Sequence, residues 1–314
     1  MTRGDHDIIV IGAGVAGLTA ARVAAEAGAR VLVIERLSAG GQVSTIDRIG
    51  NFPGHDEIGG YELGPMLQDA AEAAGAELAL AEVTGLARIG GRWWLTTPEG
   101  DFTAQAVIVA TGSTRRPLGV PGEAEFTGRG VSHCASCDGG FFRGQRVVVV
   151  GGGDSALDEA LVLAPVVGGV LLVHRGAGFT ATQGQEAAIR AAGNISVQPQ
   201  AEVVAVLGDA SGMTGVTLRQ NDAERTEAAQ GLFVYVGLSP NTDFLAGIAT
   251  RDAAGRLVVT GGLQTSAPAL YAAGDLRAGS IGLIQEAVSD GERAARSALA
   301  GLRTPESAGP EERV

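Results

Sequence analysis

The sequence predicts an α/β fold with two Rossmann-like, three-layer dinucleotide-binding domains, and three observations carry that reading. Residues 8–11 form an apolar strand that runs into Gly12-Ala-Gly14-Val-Ala-Gly17 and then an alanine-rich helix. Residues 146–150 repeat the plan, leading into Gly151-Gly-Gly153-Asp-Ser-Ala156 and a helix that Pro165 stops. The spacing repeats too: Glu35 stands 18 residues after Gly17, and His174 stands 18 residues after Ala156. One glycine turn is weak evidence. Two with matched strand, helix and offset mark two βαβ units.

The remaining elements follow in order. The first helix reaches about residue 27, and a strand at 31–34 ends on Glu35. Leu63, Met66, Leu67, Ala70, Ala71 and Ala74 recur at helical spacing and predict a helix over 61–74. Segments 78–86, 93–97 and 102–104 read as short strands, with turns at Gly90-Gly91 and Pro98-Glu-Gly100. A buried strand at 107–110 ends at Thr111-Gly112. In the second unit a strand at 170–173 ends on His174, and 203–207, 215–219 and 232–236 suggest a small meander. Beyond Pro240 come an apolar segment at 257–259, Leu270-Tyr-Ala-Ala-Gly-Asp275, and a helix over about 284–299. The polar tail from Thr304 reads as mobile.

Composition narrows the function classes. A chain of 314 residues that is 45% hydrophobic suits two domains with their own cores and excludes wholesale disorder. The net charge of −12 is spread along the chain, so nucleic acid and anionic lipid are disfavoured partners. Every basic residue is Arg, which excludes lysine-based Schiff-base and phosphate-loop chemistry. The first residues lack the basic-then-apolar pattern of a secretory signal, and the longest uncharged apolar stretch, 160–173, is too short and broken to span a bilayer. A cytoplasmic location is expected, where a purely structural disulfide is unusual.

In the first turn Gly12 permits the bend, Gly14 lets a pyrophosphate approach the backbone, and Gly17 lets the helix pack on the strand. Glu35 can accept hydrogen bonds from a ribose and would repel a 2′-phosphate, so FAD or NAD fits this site. In the second turn Gly151, Gly153 and Ala156 repeat that logic. Glu159, one helical turn on, either helps orient the nucleotide or is a solvated face. No acid follows the second strand; His174-Arg175 stands there, and an Arg can pair with a 2′-phosphate, which favours NADPH over NADH unless Arg175 is a plain surface residue.

Cys134-Ala-Ser-Cys137-Asp138 holds both cysteines of the chain. Thiols at this spacing can close a small disulfide and often have lowered pKa values. A zinc site would need two more close ligands, and His6, His55, His133 and His174 are scattered, so no metal is expected. Two inert buried thiols remain the alternative. Asp138 can exchange protons with a thiol, although Asp138-Gly139 is also ordinary turn chemistry.

Taken together these stretches resemble the low-molecular-weight thioredoxin reductases over nearly the whole chain. The resemblance runs through the Gly12 turn, Gly40-Gly41-Gln42, Asn51-Phe-Pro-Gly54, Ala110-Thr-Gly112, Gly130-Val-Ser-His-Cys-Ala-Ser-Cys-Asp-Gly139, Gly151-Gly-Gly-Asp-Ser-Ala-Leu-Asp-Glu159, Gly237-Leu-Ser-Pro-Asn-Thr242 and Ala273-Gly-Asp275. It implies a discontinuous FAD domain, 1–114 and 243–314, with an NAD(P)H domain carrying the CxxC inserted at 115–242. It implies a homodimer in which electrons pass from NADPH through FAD to the disulfide and on to a partner, with the inserted domain rotating between two orientations. By position it implies FAD contacts from Gln42, Asn51, Thr111, Gly112, Asp275, Gln285 and Ala287, and nucleotide contacts that include Asp154 and Ser155. Asp138 becomes the acid/base, Cys134 the thiol that attacks the partner, and Cys137 the one against the flavin.

Two departures bear on this. The family usually follows His-Arg with another Arg and places one more nearby, where this chain has Gly176 and Thr180. Each lost charge-assisted contact is worth about 1.5–3 kcal/mol, so NADPH binding and its margin over NADH should weaken. Where the family commonly has Arg-Gln-Ala against the flavin, this chain has Gln285-Glu286-Ala287 after a longer loop. Besides a reductase acting on thioredoxin, a thioredoxin-like protein or a small disulfide, two readings stay open. One is a dithiol oxidase using O₂ without nicotinamide; the other is a non-catalytic flavin-binding sensor.

Overall fold

The computed structural model describes residues 2–46, 48–181 and 183–303; the tail from Thr304 lies outside the described residues. The chain divides into two compact units, Met1–Thr114 with Ser239–Val314, and Arg115–Leu238. The second crossing therefore stands at 238/239, where the resemblance implied 242/243. The reason is local: Asn241 Nδ2 donates to the Thr111 carbonyl at 2.8 Å and the Thr111 hydroxyl donates to the Asn241 carbonyl at 2.7 Å, which ties 239–242 to the first unit. The crossing segments Ser113–Arg115 and Leu238–Pro240 pair as a two-stranded sheet.

Among the described residues the first unit has one sheet of seven strands. Glu77–Leu80, Val31–Glu35, Thr2–Ile11 and Asp101–Val109 are successive parallel neighbours, and Arg92–Thr96 and Gly85–Ile89 continue antiparallel. Leu270–Ala272 joins Asp101–Val109 in parallel. The sequence read 102–104 and 107–110 as separate strands. They are one, because residues 102–104 pair with 93–95 while 107–109 pair with 270–272. The interrupting Gln105 uses its amide on Asp7. Conversely, 78–86 splits: Glu77–Leu80 closes the parallel edge and Gly85–Ile89 opens the antiparallel hairpin. Ile8, Ile9 and Val10 are fully buried, as expected of a parallel strand covered on both faces.

The alanines of helix Val15–Glu26 permit close packing against helix Ile284–Arg303. At their approach a Cβ on Gly291 would stand 2.4 Å from the Ala16 carbonyl oxygen, so only glycine fits. The helix Gly60–Ala73 contains Pro65 within its length and buries Leu63.

The second unit has a parallel sheet ordered Ile195–Pro199, Gly169–His174, Arg146–Val150, Gly231–Val234, Val131–Ser132. Beside it lies an antiparallel meander of Glu202–Asp209, Gly212–Gln220 and Ala223–Ala228. The sequence assigned 232–236 as the third meander strand. That segment instead contributes to strand Gly231–Val234 of the parallel sheet, whose four residues are all buried, and the true third strand is polar and mostly exposed. The buried clusters divide the same way: three lie wholly in the first unit and two in the second. Among the described residues no helix is long and apolar enough to cross a membrane.

Candidate functional site

In the first unit the glycine turn opens between strand Thr2–Ile11 and helix Val15–Glu26. Gly17 sits so close to the turn that a Cβ there would stand 1.9 Å from the Gly12 carbonyl oxygen. At Gly14 a Cβ would meet no protein atom within 4 Å, so this face of the loop is open for a ligand. Glu35 ends its strand with both carboxylate oxygens engaged, accepting from the Ala13 amide at 2.8 Å and the Leu37 amide at 2.9 Å. The carboxylate is thereby fixed beside the turn.

Gly40-Gly41-Gln42 packs on that turn, with the Gly40 amide donating to the Ala13 carbonyl. Gln42 Nε2 donates to the Ser113 carbonyl at 3.0 Å and reaches Asp275 Oδ2 at 3.4 Å. The structure thus gathers Gln42, Ser113 and Asp275 from three distant stretches. Burial raises the Asp275 carboxyl above the usual range, and the charges of Glu286 and Asp290 add to this against the pull of Arg277. Thr111 and Gly112 are clamped to Asn241, whose amide donates to the Gly112 carbonyl. Asn51 is exposed beside the buried Phe52. Gln285 is exposed at the start of helix Ile284–Arg303, and Ala287 packs against two buried clusters.

Glu286, which replaces the family's Gln, points inward. Its carboxylate accepts from Arg277 Nη2 at 2.7 Å, the Ser280 hydroxyl at 2.9 Å and the Ile281 amide at 2.8 Å. Arg277 also binds the fully buried Asp290. The longer loop after Asp275 is therefore tied down by two carboxylates, Glu286 and Asp290, of the helix that follows it. An open glycine turn, a fixed carboxylate at the strand end, and Gln42 with Asp275 fit a flavin dinucleotide, which when bound supplies a two-electron relay.

In the second unit Gly151 repeats the bend at φ +144°, where a Cβ would stand 2.3 Å from the Tyr235 carbonyl oxygen. Asp154 and Ser155 lie exposed in the first turn of helix Asp154–Leu163, with Ala156 buried. Gly153 has only Thr180 Oγ1 near its open face. His174, expected to face the nucleotide, is 5% exposed; it stacks on Phe179 at 4.6 Å and packs against Gly152. Its Nδ1 is buried without a partner among the described residues, and burial lowers its pKa. Arg175 is left exposed at the strand end. Thr180, which stands where the family has an Arg, folds back so that its amide and hydroxyl both donate to the Gly152 carbonyl. The turn and Arg175 fit a nicotinamide dinucleotide held by fewer cations than usual.

Cys134 and Cys137 form a disulfide with Cα atoms 5.3 Å apart, across the four-residue helix Ala135–Asp138. The Cys137 amide donates to Cys134 Sγ at 3.2 Å. Asp138 accepts from the Ser132 hydroxyl at 2.6 Å, and Ser132 Oγ in turn accepts from the Cys134 amide at 3.1 Å. His133 is anchored through Nδ1 to the Val234 carbonyl. Glu159 does not stand as a solvated face: its carboxylate accepts from the Ala135 amide at 3.0 Å. Ser132, Tyr235 and Arg115 were missed by the sequence reading; Ser132 carried a signal, a hydroxyl two residues before a turn, whereas Tyr235 and Arg115 carried none. Among the described residues no cluster of His, Cys, Asp or Glu could hold a metal ion.

Two dinucleotide turns and a CxxC disulfide in one chain define an oxidoreductase that couples nucleotide to thiol chemistry. Residues 6–291 match the family described as pyridine nucleotide-disulphide oxidoreductase. The chain is 40% identical to the thioredoxin reductase of Treponema pallidum, covering 96% of this chain and 98% of that protein. Among solved structures, thioredoxin reductase of Lactococcus lactis superposes with a TM-score of 0.89 at 34% identity, over 95% of this chain and 99% of that one. That of T. acidophilum gives 0.86 at 34%, over 94% and 98%. The chain belongs to the pyridine nucleotide-disulphide oxidoreductase family, among the low-molecular-weight thioredoxin reductases. FAD and NADPH are the cofactors this family implies.

Proposed function

We propose that this chain reduces the disulfide of thioredoxin, or of a thioredoxin-like protein, with electrons from NADPH. The observation that supports this reading most is the Cys134–Cys137 disulfide with Asp138 held beside it by Ser132. In this reading the unit built from both chain ends binds FAD through the Gly12 turn, Glu35, Gln42, Asn51, Thr111, Gly112, Asp275, Gln285 and Ala287. The inserted unit binds NADPH at the Gly151 turn, with Arg175 toward the 2′-phosphate.

The thiol chemistry follows from the residues. With the pair reduced, the Cys134 thiolate attacks one sulfur of the partner's disulfide, forming a mixed disulfide and releasing the other sulfur as a thiolate. Asp138 supplies the proton that this leaving thiolate takes up. Cys137 gives its proton back to Asp138 and attacks Cys134 Sγ, restoring the intramolecular disulfide and freeing the partner's second sulfur as a thiolate that takes a proton from water. In this reading the protein acts in the cytoplasm as a homodimer; light scattering on the purified protein checks the dimer.

Stopped-flow mixing of the FAD-loaded protein with NADPH and with NADH, read by flavin bleaching, tests the reading. Rapid bleaching by NADPH is expected. Cys137→Ser should keep its flavin while turnover with thioredoxin falls by about a thousandfold or more. Undiminished turnover of that variant would refute the dithiol mechanism. A second reading, a dithiol oxidase using O₂, is favoured by Gly176 and by Thr180 folded onto Gly152 in the places of two family arginines. Bleaching by a dithiol and by neither nucleotide would establish it instead.

A further inference from the structure

The amide of Ala135, between the two cysteines, has an unusual pair of acceptors. It donates to Glu159 Oε2 at 3.0 Å and to the Tyr235 hydroxyl at 3.1 Å. Ala135 is 2% exposed, so this N–H has no access to water and needs a protein partner. Both acceptors come from elsewhere in the fold: Glu159 from the helix that opens at the second glycine turn, Tyr235 from just beyond strand Gly231–Val234.

The two acceptors also support one another. Burial and the neighbouring Glu159 charge push the Tyr235 phenol far up, so it stays protonated and donates to Glu159. Burial raises the Glu159 carboxyl, and the hydrogen bonds from Ala135 and Tyr235 oppose that. Arg115 stands over the Tyr235 ring at 5.7 Å from its centroid and adds its charge. On the other side, Ser132 holds the Cys134 amide and Asp138. The short redox helix is thus pinned on both flanks.

We propose that Glu159 and Tyr235 are positioning residues for the redox pair: by holding the Ala135 amide they restrict the dithiol to geometries that close the disulfide, and so set its reduction equilibrium. The proposal rests on the reading above that Cys134 and Cys137 cycle between dithiol and disulfide. Closing a disulfide is an intramolecular reaction whose equilibrium follows the effective concentration of one thiol at the other. Reduction breaks the S–S bond and adds two electrons and two protons, after which the sulfurs separate. A pinned backbone limits that separation. Loosening it enlarges the freedom of the dithiol state alone and moves the equilibrium toward reduction.

The FAD-loaded protein is equilibrated in buffers of reduced and oxidised dithiothreitol, and its thiols are trapped by alkylation and counted. Dithiothreitol gives two electrons and two protons to the protein disulfide and closes its own ring, so neither NADPH nor thioredoxin takes part. Glu159→Ala and Tyr235→Phe should each shift the equilibrium toward the dithiol by about tenfold, which is about 30 mV for a two-electron couple. Glu159→Gln, which keeps an oxygen for the Ala135 amide, should titrate close to the parent. Tyr235→Phe removes only a hydroxyl and decides the matter alone if the alanine variant does not fold. Variants that titrate with the parent, or lose thermal stability without moving this equilibrium, would overturn the proposal. So would a Glu159→Gln shift as large as that of Glu159→Ala, which would place the effect in charge rather than in the bond. A shift without thioredoxin turnover would leave the positioning role standing and remove only the assigned partner.

Discussion

Asp275 is half-buried beside Gln42, and its carboxyl is raised by burial first and by Glu286 and Asp290 second. A raised folded-state value favours the protonated form in the native state. The stability it contributes is full below the ordinary Asp value of about 3.9 and is lost as pH rises through the raised value. At neutral pH its ionised form therefore works against the fold. Asp275→Asn should raise the melting temperature of the flavin-free protein at neutral pH, and the gain should shrink on acidification. The same variant should weaken flavin binding, read by retained flavin absorbance. Glu286 behaves in the opposite sense. Burial pushes it up, but the Ile281 amide, Ser280 and Arg277 prevail and hold it low, so its contribution is present above about 4.3 and is lost as pH falls. Asp275 was legible because Ala273-Gly-Asp275 matches a family pattern. The inward turn of Glu286 was not, because its partners depend on how the loop before it folds.

Helix Ile284–Arg303 is held to that loop by Glu286 and, more deeply, by Asp290. Asp290 is fully buried and accepts from Arg277 Nε and Nη2 and from the Gly274 amide at 3.0 Å. Removing one partner of a buried ion pair costs about 3–5 kcal/mol when the other is left uncompensated; Arg277 keeps Glu286, so the cost here falls at the low end, about 3 kcal/mol. Asp290→Ala should lower unfolding free energy by that amount in a urea titration, with flavin retention falling as the loop loosens. Elements with strong periodicity were legible: both glycine-turn helices, helix Gly60–Ala73 and the parallel core strands. Helix Gln183–Ala191 and strand Ala223–Ala228 were not, because both are largely polar and present no clean apolar repeat. Strand 231–234 was given the wrong sheet for a related reason. A short apolar run shows that a strand is buried, without showing which neighbour buries it.

The two units have separate buried clusters, and the second is contiguous in sequence. A segment covering 115–238 is long enough to bury its own core. Expressed alone, it should unfold in a single cooperative transition and carry the Cys134–Cys137 disulfide, yet remain colourless after exposure to FAD. Calorimetry and flavin absorbance check this; flavin binding by that segment would reverse the assignment of the two nucleotides. From the amino-acid order alone came the repeated strand–turn–helix plan, the acid after one strand and the Arg after the other, and the paired cysteines. These are short-range patterns, since a turn or a helix draws on residues within a few positions of one another. Folding in three dimensions was needed to bring Gln42 to Asp275, 233 positions away, and Tyr235 to Ala135, 100 positions away. Such contacts arise from how sheets and helices stack, and no local periodicity encodes which distant side chain will satisfy a buried amide or carboxylate.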